Sequence, residues 1–379
     1  MRILQICAAY KPAFVYGGPT RSVSALSEQL VKAGIGVEVF TTTANGSSEL
    51  PVKNGKKVKV DGVPVTYFKR VTGDHTHFSP ALLKQLWVDA QKFDVIHIHA
   101  WWNLVSVLSC FICLLKRVPV IVSPRGTLSP YSFRNKNSGI KALIHHLVSK
   151  PLLKSCFLHV TSQRENDAVK ILIHPRIMVT LPNFIELPAP AMPTFKERTS
   201  CFKLLFLSRI EEKKGLELLI GALALLPVTC KLTIAGSGDE AYVKHLKAFA
   251  IDRNVAGKIE WIGFQNRHKF EVLQNHDLFV LPSYDENFGN AVIESLSVGT
   301  PVLISEEVGL AAYVNSKRLG WICQTSESSV ASVINLIINE RVKEVEEIRR
   351  IAPGIIFTDF EEGNLVKKYM EMYQQSIKK

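Results

Sequence analysis

The chain has 379 residues, 47% of them hydrophobic and 21% charged, and 46 Lys and Arg against 34 Asp and Glu give a formal net charge of +12. At about 100–200 residues per domain this length suits two domains, and the composition is globular with apolar content for two cores, which excludes a disordered or fibrous chain. The positive excess points to an acidic partner: a nucleotide, a nucleic acid or an anionic membrane face.

The opening MRILQICAAYKPAF has only a short apolar run before Lys11 and Pro12, without a signal peptide's longer apolar core and cleavage site, so a cytosolic chain is expected. RILQICAA reads as a buried strand. After it, the YGGP turn carries Gly17 and Gly18, glycines that let backbone approach a ligand before a helix N-terminus, or that serve a plain turn. The turn is not GxGxxG, so a dinucleotide fingerprint is absent. TRSVSALSEQLVKAG places Val23, Leu26, Leu30 and Val31 on one helical face and stops at Gly34. VEVFTTT is the next strand, and KVKVDGVPVTYF a hairpin around Asp61-Gly62. FDVIHIHA is a strand ending in His97 and His99. LVSVLSCFICLL, at 104–115, is closed by Lys116 and Arg117; a membrane span needs about 20 residues, so it reads as a buried core helix. Cys110 and Cys113 form a lone CxxC inside it, without a second pair or redox context, and no metal site is expected there. PVIVS is a strand, 139–150 an amphipathic helix, and FLHVTS, a helix from 163 and IMVTLPN complete this half.

Residues 185–200, IELPAPAMPTFKERTS, hold three prolines without period and read as the linker. The alternation then restarts: FKLLFLS, helix 215–226, KLTIAG, helix 239–252, KIEWIG, helix 267–275, DLFVLPS, helix 290–298, PVLIS, helix 327–339, and a terminal helix. Strand–helix alternation implies parallel, doubly wound sheets, whose ligands lie beyond the carboxyl ends of the strands. Three stretches stand there. SRIEEKKG brings Arg209 and Lys214 beside a helix start, where positive charge suits a diphosphate. AGSGD, with Gly236, is a second glycine-rich turn. ENFGNAVIE sets Glu286 in a loop and Glu294 one turn into a helix, with the amides of Phe288, Gly289 and Asn290 between. A carboxylate there accepts hydrogen bonds from sugar hydroxyls, or merely complements the helix dipole.

These stretches, with PSYDENFGNAVIESLSVGTPVL, resemble the donor-site motifs of retaining GT-B glycosyltransferases of family 4, and GGPTRSV, DVIHIHAWW, SPRGTLSP and LPNFIELP extend the likeness over nearly the whole chain. The resemblance, which also fits a subset of bacterial polysaccharide enzymes, implies an α/β GT-B fold of two facing Rossmann-like domains with parallel sheets. An acceptor-side domain at 1–190 would be followed by a donor-binding domain at 200–360, and a helix at 361–379 would cross back to the first. It implies a nucleotide-sugar co-substrate, UDP- or GDP-linked, a glycan or lipid-linked glycan acceptor, no cofactor and no metal. Arg209 and Lys214 would contact the diphosphate, Glu286 the transferred sugar, Glu294 the ribose, and Phe288, Gly289 and Asn290 would give backbone contacts. Many members carry a sugar-contacting His after the strand occupied here by PVIVS; here Arg125 stands in its place, and His97 or His99 could approach the same end. A GT-B epimerase or phosphorylase shares this architecture, and a non-catalytic scaffold of a polysaccharide assembly is the non-enzyme alternative.

From Val95 to Arg164 there is no Asp or Glu, while nine basic residues occur: Lys116, Arg117, Arg125, Arg134, Lys136, Lys141, Lys150, Lys154 and Arg164. Within this stretch Ile140, Leu143, Ile144, Leu147 and Val148 share a helical face flanked by Lys141 and Lys150, the pattern of a helix lying on anionic lipid or of a core-facing helix with a basic rim. Aromatic residues do not interleave with the bases, which disfavours nucleic acid. A cytoplasmic chain, either free or peripheral on the cytosolic face of the inner membrane, is the expectation.

Overall fold

The computed structural model describes residues 1–129, 131, 144–188, 201–226, 230–266 and 268–378. It divides into two units, Met1–Glu186 joined by Glu362–Lys379, and Leu187–Glu361.

In chain order the first unit contains β1 (Arg2–Ile6), α1 (Gly18–Lys32), β2 (Gly36–Thr42), β3 (Ala44–Asn45), β4 (Ser48–Glu49), β5 (Lys57–Val60), β6 (Val63–Phe68), α2 (Pro80–Asp89), β7 (Val95–His99) and α3 (Leu104–Leu115). It continues with β8 (Val120–Ser123), α4 (Lys150–Lys154), β9 (Phe157–Val160), α5 (Gln163–Ile173) and β10 (Ile177–Thr180). Eight strands form one sheet in the order β10-β9-β8-β7-β1-β2-β6-β5, parallel except for β5 against β6. The central strands are buried on both faces, which is why RILQI and VIHIH read as continuous runs rather than alternating ones. The Asp61-Gly62 hairpin is present, with φ of +47° and +85° at its two turn residues, the left-handed pair a two-residue hairpin needs. Ser79, Asn103 and Ser162 cap α2, α3 and α5, accepting from Leu82, Ser106 and Glu165 backbone N–H groups.

Two expectations change here. The α3 helix is not wholly core: Leu104, Phe111 and Leu115 stand 40%, 49% and 55% exposed, because only its Val105–Ser109–Cys113 side faces the sheet. Residues 139–143 of the apolar helix read at 139–150 lie outside the described residues; the remainder is a π-helical turn over His145–Ser149, followed by α4.

The second unit contains β11 (Phe202–Leu207), α6 (Leu216–Leu225), β12 (Cys230–Ala235), α7 (Glu240–Asp252), β13 (Ile259–Gly263), α8 (Lys269–Gln274), β14 (Leu278–Leu281) and α9 (Asn290–Ser297). After these come β15 (Val302–Ser305), α10 (Ala311–Lys317), β16 (Gly320–Cys323), α11 (Glu327–Glu340) and α12 (Val342–Asp359). Its six strands run parallel in the order β13-β12-β11-β14-β15-β16. The chain then returns, and α13 (Glu362–Ile377) packs with α1 and β7 of the first unit, burying Leu365, Tyr369, Met372 and Tyr373.

Candidate active site

In the second unit the turns after β11, β12 and β14 come together at the carboxyl ends of the sheet. Close backbone approach dictates glycine there. A Cβ on Gly236 would meet the Ser208 carbonyl oxygen at 1.9 Å, and one on Gly215 the Pro282 carbonyl oxygen at 2.1 Å, Gly215 also having φ of +65°. The first contact joins the turn after β12 to the turn after β11, and the second joins the turn after β11 to β14. Gly289 has φ of +95° and stands immediately before α9, so Asn290 opens that helix with its amide among those facing the turn. The Phe288 ring is 3% exposed and packs edge-on to Phe360, so its side chain belongs to the core and only its backbone faces the turn.

Lys214 and Glu286, 72 residues apart in sequence, form an ion pair here, the lysine side chain 6% exposed and the carboxylate 20%. Burial tends to raise the Glu286 carboxyl, but the Lys214 ammonium, with Lys213 and Arg209 behind it, outweighs burial and holds it below the usual carboxylate range. Lys213 is lowered from its ordinary value by burial and by its neighbour Lys214. Lys214 has three N–H donors and one is spent on Glu286, which leaves two for an anion. Arg209 is about two-fifths exposed and pairs with Glu211. Deeper in, Glu294 is bound by Lys269 at 2.8 Å, both side chains 9% exposed. Sequence reading did not single out Lys269; no motif marks it, and only the packing of α8 beside α9 brings it to Glu294.

In the first unit, Gly17 (φ +69°) precedes α1 and Gly18 opens it, with Pro19 at the adjacent first-turn position. Arg125 follows β8 with φ of +53°. Its Nε donates to His99 Nδ1 at 3.1 Å, and one terminal nitrogen donates to Ser22 Oγ at 2.9 Å and Asn183 Oδ1 at 2.7 Å. Because His99 accepts at Nδ1, its proton sits on Nε2 and is donated to Gln5 Oε1 at 2.6 Å. The direction then propagates. Gln5 Nε2 donates to the Tyr373 hydroxyl at 3.0 Å, and Tyr373 to His97 Nδ1 at 2.9 Å. His97 Nε2 donates to Ser123 Oγ at 2.6 Å, Ser123 to His159 Nδ1 at 2.6 Å, and His159 Nε2 to the Leu181 carbonyl at 3.0 Å. One assignment satisfies every member with all three histidines neutral. Burial, with Arg125 adding to it, pushes the same way: His97 and His99 fall well below their usual value and His159 to about 3. The ring nitrogens of both His97 and His99 are thus taken by protein partners, and the cation presented at this end of the sheet is Arg125.

Comparison with known proteins follows the same division. Residues 193–353 match the family of glycosyl transferases group 1, and residues 17–183 match the glycosyl transferase 4-like domain. The chain is 25% identical to an uncharacterized glycosyltransferase of Methanocaldococcus jannaschii, over 99% of this chain and 98% of that one. It is also 25% identical to a glycogen synthase of Mycobacterium tuberculosis, over 90% and 86% of the two chains. Among solved structures, Anabaena HepE in complex with UDP and glucose superposes with a TM-score of 0.77 at 18% identity, over 99% of this chain and 100% of that one, a likeness of GT-B fold.

Proposed function

We propose, from the match of residues 193–353 to the glycosyl transferases group 1 and of residues 17–183 to the glycosyl transferase 4-like domain on a GT-B fold, that the chain is a retaining, metal-independent enzyme that moves a sugar from a UDP- or GDP-linked donor to a glycan or lipid-linked glycan in surface polysaccharide synthesis. The observation that carries the reading is the part-buried Lys214–Glu286 pair beside the glycine-started helix α9. Breaking a sugar–phosphate bond develops positive charge on the sugar and negative charge on the leaving diphosphate. The two remaining Lys214 donors and the Arg209 guanidinium meet the diphosphate charge, with the backbone amides at the start of α9 adding to them. Glu286, held ionised by the same lysine, accepts from the sugar hydroxyls. Glu294, fixed by Lys269, accepts from the ribose diol. In the first unit Arg125, locked by His99, Ser22 and Asn183, is the cation offered to substrate. Retention follows if the acceptor attacks on the face the diphosphate leaves and gives its proton to that leaving group. The glycan acceptor draws support from the glycogen synthase relative, and a UDP-linked donor from HepE.

The test is Glu286→Gln assayed with a panel of nucleotide-sugars. Release of nucleoside diphosphate matched to acceptor glycosylation, with kcat/KM lowered in the variant and its melting temperature unchanged, supports the reading. An equal loss of stability and activity would reduce Glu286 to a structural charge. Activity lost to a chelator and restored by magnesium or manganese would remove metal independence.

An anionic membrane face belongs to the same proposal as a partner of the first unit. What supports it is that Ile144, Leu147 and Val148 stand 45%, 69% and 43% exposed near Lys150 and Lys154, facing solvent rather than core. Arg134, Lys136 and Lys141 lie outside the described residues. No described helix is long and apolar enough to cross a membrane. Salt-sensitive co-sedimentation with anionic but not neutral liposomes, lost in Leu147→Glu, is the expected result; equal sedimentation with both lipids, or with neither, removes the membrane from the proposal.

A further inference from the structure

The amino ends of the second sheet, opposite the donor turns, hold a second concentration of charge. Lys203 in β11 and Lys231 in β12 are register partners in the parallel ladder. Lys258 immediately precedes Ile259 of β13, whose partner Leu232 immediately follows Lys231. Three lysines therefore stand in a row across three neighbouring strands, about 4.8 Å from one strand to the next. Like charges placed opposite one another in a sheet are unfavourable. Among the described residues none of the three makes an ion pair; the nearby carboxylate of Asp277 is turned to the Lys203 backbone N–H at 2.8 Å and to Arg349.

The same row lines a cavity of about 640 Å³, within the range of small-molecule sites. Its inner wall is Thr233 and His276, 9% and 8% exposed. His276 donates from Nδ1 to the Val272 carbonyl at 2.6 Å and its Nε2 is hydrogen-bonded to the Thr233 hydroxyl at 2.8 Å, so the wall is fixed. Glu260 also lines the cavity, leaving an excess of two positive charges among its lysines and carboxylate.

We propose that this cavity is a binding site for a phosphate-bearing small molecule, separate from the donor site. Three lysines in register around one cavity with a polar wall match the spread charge of a diphosphate or sugar phosphate. The six residues from Lys203 to Arg209 run along β11, so the two sites are roughly 20 Å apart, and a ligand here does not compete with the donor.

The test titrates the full chain with inorganic pyrophosphate by calorimetry, alongside its effect on melting temperature, in two variants. Lys203→Gln/Lys231→Gln/Lys258→Gln removes the row at positions without a partner to strand. Lys214→Ala removes the donor-side lysine. Two pyrophosphates per chain in the parent, one in each variant, and weaker binding at high salt are expected, with at least about a tenfold loss of affinity at the row. Unchanged binding in the triple variant overturns the proposal, whether the parent takes one pyrophosphate or two. Unchanged binding in Lys214→Ala alone counts against the donor-site reading and leaves this one standing.

Discussion

At the carboxyl ends of the second sheet the buried polar groups are ions held in pairs, Lys214 with Glu286 and Lys269 with Glu294. At the carboxyl ends of the first they are neutral side chains in one directed hydrogen-bonded chain, and Arg125 is the cation at its head. Pairs of ions keep their charge over a wide pH range and are sensitive to losing one partner. A neutral chain tolerates no extra proton, because each histidine has one nitrogen that must accept. The two regions should therefore fail differently, the second unit to single charge deletions and the first to acid and to removal of a link.

The largest effect is expected from Lys269→Met. Removing one member of a buried pair leaves Glu294 uncompensated and should cost about 3–5 kcal/mol. The double variant Lys269→Met/Glu294→Leu should recover most of that in denaturant unfolding, while single and double variants of equal stability would show that the charges are not coupled. Next comes Lys214→Ala, which should lower turnover about 10²-fold or more, the scale of losing one charge-stabilising donor. Turnover and nucleoside diphosphate affinity both unchanged would break the electrostatic account of this site. In the first unit, Tyr373→Phe deletes the hydroxyl that joins Gln5 to His97 and should cost about 1–3 kcal/mol, the penalty for leaving buried groups unsatisfied; a loss under half of that would mean the chain relaxes around the gap.

Taken group by group, acid gives the smallest change. His159 titrates near 3 when folded and near the ordinary 6.5 when unfolded. Its folded value is depressed, so the unfolded chain takes up the proton first. The stability it contributes is whole above about pH 6.5 and is lost progressively as pH falls toward about 3. At pH 5.5 this amounts to about 1 kcal/mol for His159. Glu286 does not oppose the trend, since its own depressed value keeps it ionised there. A melting temperature flat from pH 7.5 to 5 would contradict neutral buried histidines.

Strand and helix alternation, the Asp61-Gly62 hairpin and the glycine turns were legible because period and turn chemistry are local. Gly215, Gly236 and Gly289 sit where a Cβ or an ordinary φ would not fit, so their positions already marked the donor side. Other elements were hidden. The α12 helix was not read at all: it contains Pro353 and Gly354, yet the segment is one helix, with Ile348, Ala352, Pro353 and Ile356 buried. Its packing against α9 and α11 overrides the local preference. The α3 helix read as core because hydropathy does not say how much of a helix finds a partner.

By itself the sequence determined the strand–helix alternation and which candidate site residues stand after which strand, because each follows from neighbours a few positions away. Only the tertiary structure decided that Lys269 holds Glu294, that Lys214 holds Glu286, that His99 serves Arg125, and that three lysines form a row at the far end of the sheet. Charge state and partner choice depend on which groups share one poorly solvated space, and residues 25, 72 and 26 positions apart in the three pairs are brought into that space by packing alone.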